Sequence, residues 1–404
     1  MAGALPHSPL FGPADGWSLE PVAVWMLTEG RLVTDAAALI TRLMARLDAA
    51  GARIDRLRFS STTLHPQLAA WGLFWNRSDG AQPWNGAHGV QFSDAYIGSP
   101  IQYVREHGQP FRFRVGAAAQ EGEHPLLLDL RREGMTDYTA LPLVFSSGEV
   151  NVIAIATKAP EGFSDSDLLR LAALSNLLAP MLENIGGRRT ALGLLDTFIG
   201  PRISARIVQG QVKRGDGDRI EAAFWYSDLR GFTALSESLP TDELLRLLNE
   251  YFEYCAAAAS ARGGEILQFI GDAILIVFEI RDPADEARVC ESALDAAIDA
   301  FASIAVVNHR RHMAGKPLIE FGLGLHLGIV THANVGSPSR LAFNVVGPAV
   351  NMTARIQSLT KETGVPLLLS SDFARLISRP LRSVGRHDLR GVARAQELFT
   401  PVDE

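Results

Sequence analysis

Cysteine is nearly absent from this 404-residue chain: only Cys255 and Cys290 occur, and neither sits in a CxxC pair. That excludes a disulfide framework and a thiolate metal site, and it fits a reducing, cytoplasmic setting. The sequence lacks an uninterrupted apolar run of the about 18–20 residues needed to cross a bilayer. Its first residues, MAGALPHSPLFGPADGW, lack the basic start and apolar core of a secretory leader, so no membrane insertion is expected. Basic charge is not in excess. Lys and Arg number 38 against 45 Asp and Glu, a net charge of -7, which argues against nucleic acid or an anionic membrane as the main partner. No internal repeat or low-complexity tract occurs.

What is present reads as two well-filled domains. Hydrophobic residues make up 47% and charged residues 21%, globular values, and the length exceeds what one core usually serves. Residues 1–185 mix elements: an amphipathic helix over 33–49, strands around 54–60 and 71–76, and a loop-rich middle. TALPLVFSSGEVNVIAIAT then forms a β-hairpin turning at Ser146-Ser147-Gly148-Glu149. Ser164 is an N-cap with Asp165 and Asp167 in the first turn, and Leu168, Leu171, Leu174, Leu178, Met181, Leu182 and Ile185 repeat at helical spacing. Such a stripe packs on its own domain more often than on a partner, although its position favours the partner more than its pattern does. The helix is expected to end at Gly186-Gly187-Arg188-Arg189, and residues 186–219 read as a helical connector. Residues 220–404 alternate strand, helix, strand, strand, helix, strand. That order predicts an α+β chain ending in a ferredoxin-like βαββαβ domain, an antiparallel sheet with both helices on one face.

Two aspartates stand out in that last domain. In AAFWYSDLRGFTALSE a strand runs into Asp228, and Gly231 then allows a sharp turn in which backbone N–H groups, those of Phe232 and Thr233 included, can converge. A metal-bound phosphate needs hard oxygen ligands beside such donors. Alone, Asp228 reads more readily as a turn cap. Asp272, at the Gly-Asp turn of EILQFIGDAILIVF, reads alone as a turn former, but the ferredoxin-like order pairs its hairpin with the Asp228 strand. Two carboxylates on neighbouring strands can clamp two metal ions. Downstream, Asn351 and Arg355 are four residues apart on the helix opened by Pro348, so they share a face.

FWYSDLRGFT, FIGDAILIVF and VVGPAVNMTAR, in that order and spacing, resemble the class III nucleotidyl cyclases, the adenylate and guanylate cyclase catalytic domain. The resemblance implies that Asp228, Asp272 and the carbonyl of Leu229 bind two Mg²⁺ or Mn²⁺ ions per site. It implies that Asn351 orients the ribose and Arg355 stabilises charge on the α-phosphate. Arg390, in HDLRGV, stands where the family usually has Lys, and Arg340, in GSPSRLAF, is a second phosphate candidate. Gln268 and Asn344 occupy the base-reading positions, where adenylate cyclases mostly carry Lys with Asp or Thr and guanylate cyclases Glu with Cys. Both amides donate and accept, so either base could be read; the Gln/Asn pair resembles a minority variant of adenylate cyclases, which makes ATP the expected substrate and GTP the alternative. One full set of motifs per chain implies a homodimer with two symmetric sites. A catalytically silent nucleotide-binding module is the competing reading, and the retained Asp228, Asp272 and Arg355 speak against it. A diguanylate cyclase would want a Gly-Gly-Asp/Glu-Glu-Phe turn, which Phe-Ile-Gly-Asp-Ala is not.

The hairpin and following helix over 138–183 resemble the last third of a GAF sensor domain, which implies an antiparallel sheet with helices and a regulatory small ligand. With no cysteine before Cys255 a thioether-linked bilin is excluded, and the Asn-Lys-x-Asp-Glu signature of cyclic-nucleotide-binding GAF domains is missing. Trp71, Trp75, Trp84, His88 and Tyr96 line a pocket or fill the core, the commoner fate of aromatics.

Overall fold

The computed structural model describes residues 16–116, 123–213, 215, 217–337, 339–390, 392 and 394–402. Most of the N-terminal segment read above for a leader lies outside them. The chain divides into two compact units, Met1–Thr197 and Phe198–Glu404.

The first unit contains α1 (Glu20–Thr28), α2 (Ala36–Ala49), β1 (Arg56–Thr62), β2 (Leu68–Asn76), β3 (Gly80–Ala87) and α3 (Pro100–His107). It continues with β4 (Phe111–Arg114), α4 (Pro125–Arg132), β5 (Asp137–Val144), β6 (Val150–Thr157) and α5 (Asp165–Ile199). The strands form one antiparallel sheet in the order β3-β2-β1-β6-β5-β4. Strand alternation sends Leu57 and Phe59 into a core with α1, α2 and α5. On the other face Ala140, Ala154 and Ala156 meet Ile101 and Val104 of α3 and Leu127 and Leu130 of α4.

Helix α5 opens as read. The Asp167 N–H donates to Ser164 Oγ at 3.2 Å, and the Ser164 N–H donates back to Asp167 at 3.0 Å. It does not stop at Gly186-Gly187 but runs to Ile199. Glycine costs a helix about 1 kcal/mol without terminating it. Gly186 also has a packing role, because a Cβ there would come within 3.2 Å of the Trp71 ring. The stripe Leu171, Leu174, Leu178, Leu182 and Ile185 is buried in its own unit's core, the outcome its helical pattern favoured. Trp71 is buried in that core and Trp75 packs against it. His88 is exposed, its Nε2 3.0 Å from the carbonyl of His65.

The second unit contains α6 (Pro201–Val208), β7 (Gly217–Leu229), α7 (Phe232–Ser238), α8 (Thr241–Ala261), β8 (Glu265–Ile270), β9 (Ala273–Ile280) and α9 (Glu286–Met313). Then follow β10 (Phe321–Ser337), β11 (Arg340–Val346), α10 (Pro348–Thr363), β12 (Leu367–Ser370), α11 (Ser371–Ala374), β13 (Leu381–His387) and β14 (Gln396–Pro401). The sheet order is β13-β14-β12-β10-β7-β9-β8, with β11 paired to the far end of β10. The β10–β12 pair is parallel and the other pairs are antiparallel.

Strand β10 shows how its two faces are made. In FGLGLHLG, Phe321, Leu323, Leu325 and Leu327 join the core shared with α8 and α9, which therefore cover one face together. Gly322, Gly324 and Gly328 point the other way and carry α10 directly on the strand. A Cβ at Gly324 would come within 2.8 Å of the Gln357 backbone nitrogen, and one at Gly328 within 2.6 Å of Ala349 Cβ. The two cysteines, Cys255 in α8 and Cys290 in α9, are free and buried.

Candidate active site

Strand β7 ends at Asp228 and Leu229, and β9 begins at Ala273, just after the Gly271-Asp272 turn. The register pairs Asp228 with Ala273, which sets Asp272 beside it. The Asp272 carboxylate is close enough to act on that of Asp228. Burial first, then the neighbouring Asp272 carboxylate, push the Asp228 pKa up to about 6; Lys361 and the Leu229 backbone pull the other way. The end of β7 is anchored from the helix-covered face. Trp225 Nε1 donates to Ser227 Oγ at 2.9 Å, and Ser227 Oγ lies 2.7 Å from the hydroxyl of Tyr251 on α8.

Gly231 sits at φ +68°, a left-handed conformation natural to glycine, and opens α7. The first bond of that turn runs from the Leu235 N–H to the Gly231 carbonyl, so the N–H groups of Phe232 and Thr233 have no acceptor within the helix.

Gln268 reaches the face of Asp228 through a β-bulge. Ile266 pairs with Ile276 and Gln268 with Leu275, which leaves Leu267 as the extra residue. Without it, Gln268 would oppose Ile274 on the face covered by α8. With it, Gln268, Leu275 and Tyr226 form one row across the sheet, and Ile270, Ala273 and Asp228 form the next. Phe269 is turned to the helix-covered side, its ring 4.6 Å from that of Phe252. Asn344, on β11, accepts the Val345 N–H at 2.8 Å. Leu267 and Val345, the neighbours of Gln268 and Asn344, pack against one small apolar cluster that includes Leu275 and Ala349.

Helix α10 runs along β10 with its C-terminal end at the carboxylates. Thr360 lies over Gly322, the register partner of Asp228, whereas Ala349 lies over Gly328. Arg230 Nη2 donates to the Thr360 carbonyl at 3.1 Å and ties this end of α10 to the loop after β7. The buried residues Ala349, Thr353, Ile356, Gln357 and Thr360 form the face against the sheet. At 100° per residue Asn351 lies about 180° from the centre of that face and Arg355 about 140°. Asn351 is exposed, Arg355 is half-buried, and neither makes a hydrogen bond or ion pair among the described residues. The carboxylates and the Asn351/Arg355 pair are therefore not brought together by one chain.

Of the remaining candidates, Arg390 is exposed, beside Leu389, which packs with Ile356 and Leu359 of α10. The Arg340 backbone pairs with Ser337, and its side chain lies outside the described residues. Two neighbours escaped the sequence reading. Tyr226, two residues before Asp228 and on its face, has its pKa raised by burial and then by Asp228 and Asp272. Lys361 is near enough to pull the Asp228 pKa down. Strand alternation from Asp228 would have found the first, and nothing local marks the second.

Two carboxylates that repel one another, with no ion-pair partner among the described residues, suit a cation between them. No cluster of three or more His, Cys, Asp or Glu side chains able to hold a metal occurs among the described residues.

Residues 218–391 match the family model of the adenylate and guanylate cyclase catalytic domain. This region is a class III cyclase catalytic domain. The chain is similar to an "Adenylate cyclase" of Anabaena cylindrica, 36% identical over 159 residues, 38% of this chain and 30% of that protein. "Adenylate cyclase 1" of Rhizobium meliloti (strain 1021) is 28% identical over 186 residues, 46% of this chain and 28% of that protein. The chain thus spans less than a third of the length of these curated relatives. Among solved structures, the adenylyl cyclase CyaB from P. aeruginosa is 26% identical with a TM-score of 0.42, covering 46% of this chain and 96% of that one. No described helix is long and apolar enough to cross a membrane.

Proposed function

We propose that the chain is a class III adenylate cyclase, converting ATP to 3′,5′-cyclic AMP and pyrophosphate at two sites of a homodimer, with a GAF-like N-terminal unit as its regulator. The observation that carries this reading is that Asp228 and the adjoining Asp272 lie at the end of the sheet face that carries α10, while Asn351 and Arg355 point off the far side of α10. One chain holds both halves of a site and cannot close them on each other, so a second copy completes each. Exposed apolar side chains beside both halves, Phe269 and Ile270 on β8 and Val335, Leu341 and Val346 on the β10–β11 hairpin, suit such a contact. The strand order β10-β7-β9-β8, with α8 and α9 on one face, supports a ferredoxin-like core.

In this reading Asp228, Asp272 and the Leu229 carbonyl hold two Mg²⁺ or Mn²⁺ ions. Bound there, the ions supply Lewis acidity at the ribose 3′-hydroxyl and at the triphosphate. The free N–H groups of Phe232 and Thr233 take triphosphate oxygens, and Arg390 and Arg340 are further phosphate ligands. Asn351 of the other copy fixes the ribose, and Arg355 places its guanidinium against the α-phosphate as O3′ bonds to phosphorus and pyrophosphate leaves. The 3′-hydroxyl proton passes to solvent. Gln268 and Asn344 read the base; their resemblance to an adenylate cyclase variant favours ATP, and because each amide can present donor or acceptor, GTP is not strictly excluded.

Purified chain with Mg²⁺ or Mn²⁺ and ATP or GTP in parallel tests the reading. Cyclic AMP, in excess over cyclic GMP, is expected. A lack of cyclic product from either nucleotide across protein concentrations would leave a silent nucleotide-binding module.

A further inference from the structure

We propose that the N-terminal unit binds a small organic anion, a carboxylate on an apolar or aromatic body, in a cavity between the α3-bearing face of β1–β3 and the segment from Val90 to Arg105. The cavity measures about 340 Å³, within the range of small-ligand sites. Carbon dominates its walls, through Ala69, Ala70, Trp84, Val90, Tyr96 and Ile101.

Two guanidinium groups also line it, Arg58 and Arg105, and no carboxylate does. Arg105 Nε and Nη2 are buried without a hydrogen-bond partner. Arg58 makes no hydrogen bond or ion pair among the described residues; its guanidinium lies 5.1 Å from the centre of the Trp84 ring, as that of Arg105 lies 5.8 Å from the Tyr96 ring. The Tyr138 hydroxyl, on the same face of the sheet, is buried and unpartnered as well. Burial, with Arg56 adding to it, lowers the Arg58 pKa against the opposing influence of Tyr138.

The unit's other sheltered arginines are all paired. Arg56 meets Glu133 at 2.7 Å, Arg112 meets Asp137 at 2.7 Å and Arg131 meets Glu123 at 2.7 Å. Leaving two guanidiniums desolvated and unpaired is unfavourable unless an anion joins them. The site is also built. Trp84 swings across β2 to place its Nε1 3.4 Å from the Phe59 carbonyl, and Gly72 makes room for it, since a Cβ there would lie 2.6 Å from that nitrogen. With one face of the Arg58 guanidinium on the indole, its edge is free for a planar carboxylate, and the apolar walls take the rest of the molecule.

This inference does not depend on turnover in the C-terminal unit, and its test needs none. The full chain would be melted and titrated calorimetrically with 3-phenylpropanoate, octanoate, their uncharged amides, phenyl phosphate and inorganic phosphate. A carboxylate should raise the melting temperature by several degrees where its amide does not. Arg58→Met and Arg105→Met should each weaken that binding about tenfold or more, the loss of one charge-assisted pair. Equal effects of acid and amide, no effect of either carboxylate, or binding kept in both variants would overturn the proposal. Stabilisation by phenyl phosphate alone would overturn the carboxylate head. The acid-to-amide comparison needs only the unaltered chain, so misfolding of a variant leaves the test intact.

Discussion

Asp228 stands opposite Ala273 in the β7–β9 register, which sets it beside Asp272, although 43 residues of sequence lie between the two aspartates. Two like charges so close weaken the fold and suit a cation, and in the proposed reading the pair serves function more than stability.

Asp272→Ala should therefore lower turnover by at least about a hundredfold, the scale of losing a main electrostatic element. Its melting temperature should stay unchanged or rise, since a repulsion is removed. Calorimetry beside the cyclase assay checks both, and a fall of many degrees would make Asp272 structural.

Gln268→Lys should change the ratio of cyclic AMP to cyclic GMP by about tenfold or more while the metal requirement stays the same, because the bulge at Leu267 puts this residue one row from Asp228. Product ratios at matched nucleotide concentrations measure it. An unchanged ratio would remove Gln268 from base reading.

Gly324→Ala should cost about 1–3 kcal/mol, because its Cβ would press on the α10 backbone at Gln357, 2.8 Å away, where no side chain can yield. Turnover should fall with it, since the same helix carries Asn351 and Arg355. Urea unfolding and the cyclase assay report the two effects.

Acid should weaken the second unit through two neutral histidines. Burial pushes the His326 pKa down to about 4, against the pull of Asp372, while Ser370 Oγ sits 2.9 Å from its Nδ1. Burial, then Arg202 and Arg206, push His332 down to about 3. Unfolded histidine takes its proton near pH 6.5, so below that pH the unfolded chain binds more protons and stability falls, by on the order of 2 kcal/mol per histidine at pH 5. Asp228, with its raised pKa, acts in the opposite sense near pH 6. The difference between wild type and His332→Gln isolates one histidine: below pH 6.5 the variant should lose stability less steeply, by about 1.4 kcal/mol per pH unit. Parallel slopes would contradict a neutral buried His332.

Much of the site was legible because it rests on strand order. Alternating apolar runs gave the elements, and their sequence placed Asp228 beside the Asp272 turn. The spacing of Asn351 and Arg355 gave their shared face, but which way that face points depends on Gly322, Gly324 and Gly328 receiving α10, a packing fact no single helix encodes. The bulge at Leu267 was hidden, since period-two reading sends Gln268 to the wrong side. Gly186-Gly187 read as a stop because glycine is permissive in either role, and only the Trp71 ring decides between them. Arg58 and Arg105 carried no signal, being ordinary surface residues until tertiary structure buries them without partners.

Mixing two inactive variants tests the division of the site between chains most directly. Asp272→Ala and Arg355→Ala should each be inactive alone. Combined in equal amounts, half the dimers are mixed and each has one intact site, so activity should return to about a quarter of wild type. A mixture as inactive as its components, under conditions where the wild-type chain makes cyclic nucleotide and the variants exchange subunits, would show that one chain closes the site by itself.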